Sequence, residues 1–276
     1  MNEDMKWYRI FRSILGPIFR FWYNPTIIGA ENIPLEGPII LAGNHVHIMD
    51  QCSIVIVTKR DIHYMAKKEY FDNKKVAWFF KASGCIPVDR SKKDEEATSH
   101  ALDVLKKGIA LGIFPEGTRN GLKEERAIEL YEKYFLEDTI EQRDFIEKTK
   151  KNKTSLVNYL EQLKDEKIIT LEEFKDNIYD VYSFLTDLIL NHRITKEEYY
   201  DHILLPLKFG AVSMAHKTDA MIVPYAITGD YKFRSKNLVV RIGKPFSVGD
   251  DLAAANEKLR QDIVSLMKET EKESGK

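Results

Sequence analysis

A chain of 276 residues, 43% of them hydrophobic, can bury one large core, or one core with a small appended module, which excludes disorder as its main state. Its 43 acidic and 42 basic residues nearly cancel, so no global field recommends nucleic acid or another strongly charged partner. The two cysteines, Cys52 and Cys85, stand in apolar stretches and make no disulfide framework, which suits a reducing, cytoplasmic setting.

The start of the chain lacks the apolar run and small-residue cleavage site of a signal peptide, and no stretch reaches the ~18 apolar residues of a spanning helix. If the protein meets a membrane, it is expected to do so from one side, peripherally, at the cytoplasmic face. The charge balance also hides an asymmetry. Residues 121–203 hold 20 acidic and 13 basic side chains, so with −1 for the whole chain the remainder carries +6.

From Lys6 to Tyr23, Trp7, Phe11, Ile14, Leu15, Ile18 and Trp22 recur at helical spacing, with Arg9, Arg12, Ser13 and Arg20 on other faces and a bend expected at Pro17. Aromatic rings with arginines alongside suit membrane-interface helices within residues 1–24. The same periodicity fits a helix packed on the protein's own core. After Pro25, short strands are predicted at Pro38–Ala42, Ile62–Met65 and Gly108–Phe114, with a helix over Asp94–Lys107 that has acids at its start and Gly108 as its stop. Ile222–Thr228 and Leu238–Ile242 read as later strands and Leu252–Lys272 as a closing helix. This alternation predicts an α/β fold, a central mixed sheet flanked by helices.

Residues 121–203 differ in texture: densely charged, free of proline and helical in period. Ile169-Thr170-Leu171-Glu172-Glu173-Phe174 returns 25 residues later as Ile194-Thr195-Lys196-Glu197-Glu198-Tyr199. In each copy a threonine stands three before a glutamate, the capping-box arrangement that starts a helix. The repeat resembles the core of the helical hairpins called short C-terminal domains. The expected organisation is therefore a first part of the core (1–120), an inserted acidic helical module (121–203) and a second part of the core (204–276).

The strand at Pro38–Ala42 runs into Gly43-Asn44-His45-Val46-His47-Ile48-Met49-Asp50. On a straight helix His45 and Asp50 would stand about 140° apart, so a loop or helix start must bring them together. If they meet, the carboxylate fixes the imidazole tautomer and leaves the other nitrogen as a base near neutral pH. A hydrogen-bonded histidine beside a capping aspartate fits the same residues. Phe114-Pro115-Glu116-Gly117-Thr118-Arg119-Asn120 follows a strand directly, where α/β sheets bind ligands. Its glycine lets amides approach an anion, Arg119 offers a fork matched to phosphate, and Glu116 suits orienting that arginine or accepting from a glycerol hydroxyl. A Glu–Arg pair closing a turn is the plainer account. Two further segments are Gly84–Arg90, a strand edge ending in Asp89 and Arg90, and Ile222–Ile227, whose Pro224 implies an edge strand or a missing ladder bond.

In this order the four segments resemble the 1-acylglycerol-3-phosphate acyltransferase family. Asn44, His45 and Asp50 match its asparagine-histidine-four-variable-aspartate motif, and Phe114–Arg119 matches its phenylalanine-proline-glutamate-glycine-threonine-arginine motif without change. Ile86–Arg90, Val223-Pro224, Leu204–Ala211 and Gly243-Lys244-Pro245 match further stretches, so the resemblance covers residues ~26–120 and ~204–250. It implies that His45 is the general base on an acceptor hydroxyl and Asp50 its orienter. Glu116, Gly117, Thr118, Arg119 and Arg90 would hold the substrate phosphate, with Asn44 and Lys208 secondary. It further implies transfer of a fatty acyl group from a thioester, acyl-coenzyme A or acyl-carrier protein, to a lysophospholipid at a membrane surface, without cofactor, metal or covalent acyl-enzyme. The chain departs from the family between Asn120 and Leu205, where a short loop is usual, and a protein partner docking on this insert is one expectation. Trp78, Phe79 and Phe80 are candidates for the acyl groove. Two rivals are a metal-dependent hydrolase using His45, His47 and Asp50, and a non-catalytic membrane scaffold on the same fold.

Overall fold

The computed structural model describes residues 5–91 and 94–273. They form two compact units, Met1–Gly117 with Leu207–Lys276, and Thr118–Pro206. The first unit begins with α1 (Lys6–Tyr23), β1 (Thr26–Ile28), β2 (Ile39–Gly43), α2 (Asp50–Val55) and β3 (Ile62–Lys67), then α3 (Glu69–Asp72), α4 (Ala77–Ala82), β4 (Ile86–Val88), α5 (Glu95–Lys106) and β5 (Ala110–Ile113). The second unit holds α6 (Glu124–Tyr134), α7 (Gln142–Thr149), α8 (Thr154–Asp165), α9 (Leu171–Asn177), α10 (Val181–Leu190) and α11 (Lys196–Asp201). The first unit then resumes with α12 (Gly210–Thr218), β6 (Met221–Thr228), β7 (Val239–Ile242) and α13 (Leu252–Glu273).

The strands form one mixed sheet in the order β1-β7-β6-β2-β5-β3-β4, the α/β class read from the sequence. Five neighbours, β6, β2, β5, β3 and β4, run parallel, and β7 returns antiparallel to β6. In β2, at the middle, Ile39 to Ala42 are at most 1% exposed. An unbroken apolar run of that kind marks a parallel strand covered on both faces. Pro224 lies in the interior strand β6, so of the two expectations the missing ladder bond holds. Tyr225 pairs with Ile242 while Ile222 bridges Phe246, one residue out of register, so a bulge sits beside the proline where no donor is needed.

Residues 6–23 form one helix, α1, where the sequence suggested several, and it runs through Pro17. Its inner face is core: Tyr8 and Phe19 are each 5% exposed. The arginines, read as headgroup partners, also have partners in the protein, with Arg9 and Arg20 remaining exposed. Arg9 pairs with Asp61 at 2.6 Å, Arg12 donates to the carbonyls of Lys59 and Arg60, and Arg20 donates to that of Ile56. The outward face keeps Trp7, Ile14, Ile18, Phe21 and Trp22 exposed. Among the described residues no helix is long and apolar enough to cross a membrane.

In the second unit both threonine-glutamate capping boxes form, at Thr170 with Glu173 and at Thr195 with Glu198. Phe135, Phe145, Leu160, Phe174 and Leu185 pack its core at 2% exposure or less. Burial raises the Glu161 carboxyl, but hydrogen bonds from Lys133, Tyr134 and Arg126 outweigh it and hold the group at about 2. The repeat extends to the turns before each box. Lys167 and His192 both take left-handed backbones, φ 62° and 56°. Beyond them Ile168 N donates to Leu163 O, and Arg193 N to Leu188 O, each at 2.9 Å. Glycine favours this C-terminal cap because a Cβ strains it. Lys167→Gly and His192→Gly are each expected to stabilise the protein by about 0.5–1 kcal/mol, a raised urea midpoint of the full chain being the check.

Candidate active site

The parallel strands β2, β5, β3, β4 and β6 end on one edge of the sheet, and the motif segments begin there. Gly43, the last residue of β2, is there because space is lacking: a Cβ would fall 2.3 Å from the Tyr225 ring and 2.5 Å from its carbonyl oxygen. Asn44, 1% exposed, continues the pairing with its side chain. Its Nδ2 donates to Ile227 O and its Oδ1 accepts from Ile227 N, both at 2.8 Å. This residue, read as a secondary site residue, clamps β6 to the exit of β2 and so fixes where His45 emerges.

The chain then turns back through residues 46–49, and Asp50 opens α2 with no exposed surface. Its Oδ2 accepts from the amides of Val46 at 2.7 Å and His47 at 2.8 Å and lies 2.8 Å from His45 Nδ1. Its Oδ1 accepts from the Tyr231 hydroxyl at 2.7 Å. A carboxylate among donors makes Nδ1 the protonated nitrogen of His45 and leaves Nε2 as the base. The two residues that a straight helix would part are joined because the helix starts at the second of them.

The second motif builds a wall for the first. The Phe114 ring stacks on the His45 ring at 3.9 Å with 14° between planes, and Tyr64 stacks behind it at 5.9 Å. Glu116 was expected at the phosphate. It is 3% exposed, and its Oε1 accepts from the His45 amide at 2.9 Å, so it braces the histidine backbone. Gly117 closes the turn with φ +72°. Lys208 lies across it: its amide donates to Pro115 O at 2.8 Å, and its Cε occupies a point 2.7 Å from where a Gly117 Cβ would stand.

Thr118 and Arg119 are the first residues of the helical unit, and Arg119 is exposed. In that unit Asn120 is pinned to Ser155 and to the carbonyl of Ile203. Arg90, exposed, follows β4 on the same sheet edge, with β3 between it and β5. His47 Nδ1 accepts from Met49 N at 3.2 Å, and its ring stacks on Tyr231 at 4.3 Å. Among the described residues no group of three or more His, Cys, Asp or Glu is placed to hold a metal ion, so the metal-ligand reading of His45, His47 and Asp50 lacks its geometry. Tyr231 escaped the sequence reading: it stands 181 residues from Asp50 and belongs to no motif.

An apolar cavity of about 370 Å³ is enclosed by α1, α2, α4 and the β3 residues Ile62 and Tyr64. Met49 and Gln51, the chain neighbours of Asp50, line it together with Cys52, Phe79 and Phe80. Trp78 faces outward instead, 60% exposed. Burial, then the charge of Asp50, pushes the Cys52 thiol up to about 11, and burial takes Cys85 to about 12. Both thiols are therefore neutral near pH 7 and poor nucleophiles.

An open, mostly parallel α/β sheet with a histidine–carboxylate pair at its carboxyl edge defines the structural class. The chain belongs to the acyltransferase family, whose model, described as Acyltransferase, matches residues 24–228. Among its relatives is the 1-acyl-sn-glycerol-3-phosphate acyltransferase of Bacillus subtilis (strain 168), 35% identical over 113 residues that make up 41% of this chain and 57% of that protein. The enzyme of the same name from Streptococcus pneumoniae (strain ATCC BAA-255 / R6) is 34% identical over 126 residues, 44% of this chain and 47% of that protein. The chain thus matches about half the length of these relatives. The crystal structure of the 1-acyl-sn-glycerophosphate (LPA) acyltransferase PlsC from Thermotoga maritima superposes with a TM-score of 0.51 at 18% identity, covering 97% of this chain and 84% of that one, a likeness of fold.

Asn44→Ala leaves the amide and carbonyl of Ile227 unpaired in the core. It is expected to cost about 2–4 kcal/mol, measured as a lowered urea midpoint.

Proposed function

We propose that this protein transfers a fatty acyl group from a thioester, acyl-coenzyme A or acyl-carrier protein, to the free hydroxyl of a lysophospholipid, 1-acyl-glycerol-3-phosphate giving phosphatidic acid. The observation that carries this reading is the 2.8 Å contact of His45 Nδ1 with the buried Asp50, which leaves Nε2 as a base at the sheet edge. Nε2 takes the proton of the acceptor hydroxyl as its oxygen attacks the thioester carbonyl. The new C–O bond forms, the C–S bond breaks, and the imidazolium returns the proton to the departing thiolate. No step needs a protein nucleophile or a resident cofactor, in keeping with the neutral thiols of Cys52 and Cys85.

The acceptor phosphate is assigned to cations and amides. Gly117, where a positive φ turns the backbone, and Lys208 across it supply two such groups. The unchanged motif adds Thr118 and Arg119, and Arg90 stands on the same sheet edge. Glu116, buried, supports the histidine by accepting from its backbone amide. The cavity beside Met49 and Cys52 receives the acyl chain, each buried methylene contributing about 0.8 kcal/mol. The exposed aromatic and aliphatic face of α1, with Trp78 and Phe233, seats the protein on the lipid surface from one side.

In an acyl-transfer assay with lysophosphatidic acid and both donors, His45→Ala is expected to lose turnover by roughly 10²–10⁴-fold while unfolding at the wild-type midpoint. A folded variant with undiminished turnover removes the mechanism. Arg119→Ala should raise KM for the lysolipid more than it lowers kcat. Cys52→Trp, which adds bulk to the lining of the cavity, should shift donor preference toward shorter acyl chains, read from a chain-length series.

A further inference from the structure

Tyr231 lies between β6 and β7, outside every motif segment. Its hydroxyl is 2.7 Å from Asp50 Oδ1 and 2.8 Å from Ser53 Oγ. Its ring stacks on His47 at 4.3 Å and packs against Tyr23 at 5.4 Å and Phe19 at 6.4 Å. Three residues on, Arg234 N donates to Trp22 O at 2.7 Å, which ties the loop to the end of α1. Burial, then the charge of Asp50, holds the hydroxyl protonated well above its ordinary range, so toward the carboxylate it is the donor.

A carboxylate is free to swing about its Cβ–Cγ bond unless both oxygens are held. Here Oδ2 is held by the amides of Val46 and His47, and Oδ1 by Tyr231. The plane of the carboxylate, and with it the direction in which His45 Nδ1 must point, is thereby set. The Phe114 ring fixes the imidazole plane from its face, while Tyr231 acts along the in-plane axis through Asp50.

We propose that Tyr231 is a positioning residue for acyl transfer, its hydroxyl locking the Asp50 carboxylate so that His45 Nε2 is aimed at the acceptor hydroxyl. The inference rests on the reading of His45 and Asp50 as the reacting dyad. Tyr231 is not among the residues lining the cavity and its hydroxyl is turned to Asp50 and Ser53, so removing that hydroxyl is expected to act on the rate and leave binding alone.

The test is a cycle of Tyr231→Phe and Asp50→Asn, with kcat and KM measured on lysophosphatidic acid with acyl-coenzyme A and unfolding midpoints recorded for every variant. Phenylalanine keeps the ring contacts. Loss of one charge-assisted hydrogen bond is expected to lower kcat roughly ten- to hundredfold, with KM within about twofold. In the Asp50→Asn background the same change should lower kcat by less than about twofold, because the group it acts through is gone. Tyr231→Phe also orphans the Ser53 hydroxyl, so the added change Ser53→Ala should recover part of the midpoint, the donor to Asp50 still being absent, while kcat stays low. Wild-type kcat in Tyr231→Phe overturns the inference, as do losses that multiply across the cycle or a kcat that recovers together with the midpoint. Full turnover in His45→Ala overturns the dyad reading and this inference with it. Lost turnover in His45→Ala with a fast Tyr231→Phe overturns this inference alone.

Discussion

Asp50 is a carboxylate with no exposed surface, and a buried charge persists only where donors surround it. Much of the site follows from that constraint. The amides of Val46 and His47 must point inward, which forces the chain to fold back after β2 and start α2 at Asp50. The fold-back carries His45 over the carboxylate. Tyr231 is drawn in from the far side of the sequence to meet the remaining oxygen. Each donor serves the stability of a buried anion and the placement of the His45 ring at once, so the pair is held for the same reason that it is tolerated.

The acyltransferase motifs work as one built object. Phe114 and Glu116 come from the segment whose arginine gives it the look of a phosphate site, and both also contact His45, one through the ring face and one through the backbone amide. A glutamate beneath the His45 backbone holds that residue at the strand end, and Lys208 packs across Gly117 in the same turn.

What could be read from the sequence was what depends on neighbours in the chain. His45 and Asp50 are five residues apart and the turn between them is local; Asp94 accepts from Ala97 N as a helix start should, and both threonine-glutamate boxes close. What could not be read depends on distant segments. Arg9, Arg12 and Arg20 look like headgroup partners in a list of residues, but the carbonyls and the acid that satisfy them belong to residues 56–61. Glu116 carries no mark of burial until β5 is set beside β2. Pro224 announced a missing bond, while its place in an interior strand became clear only from the strand order. Tyr231 has no periodic or motif context, so only the fold reveals it.

The loop that holds Tyr231 also carries Phe233, which is 57% exposed and packs edge-on against Trp22 at 4.8 Å. Trp22 belongs to the face of α1 proposed to meet lipid, and with Ile18, Phe19 and Tyr23 it also lines the cavity proposed for the acyl chain. The surface proposed to seat on lipid is thus two residues along the chain from the hydroxyl that holds Asp50. Such a short path favours a rigid connection over a transmitted motion. The backbone bond from Arg234 to Trp22 and the ring contacts of Tyr231 with Tyr23 fix the loop to α1 at both ends of this path. A helix that carries the face proposed to meet lipid, walls the cavity and anchors the loop of Tyr231 cannot be altered for one of these roles without disturbing the others. Its arginines add to that anchoring at the surface, Arg9 on Asp61 and Arg12 and Arg20 on the backbone carbonyls of residues 56–60.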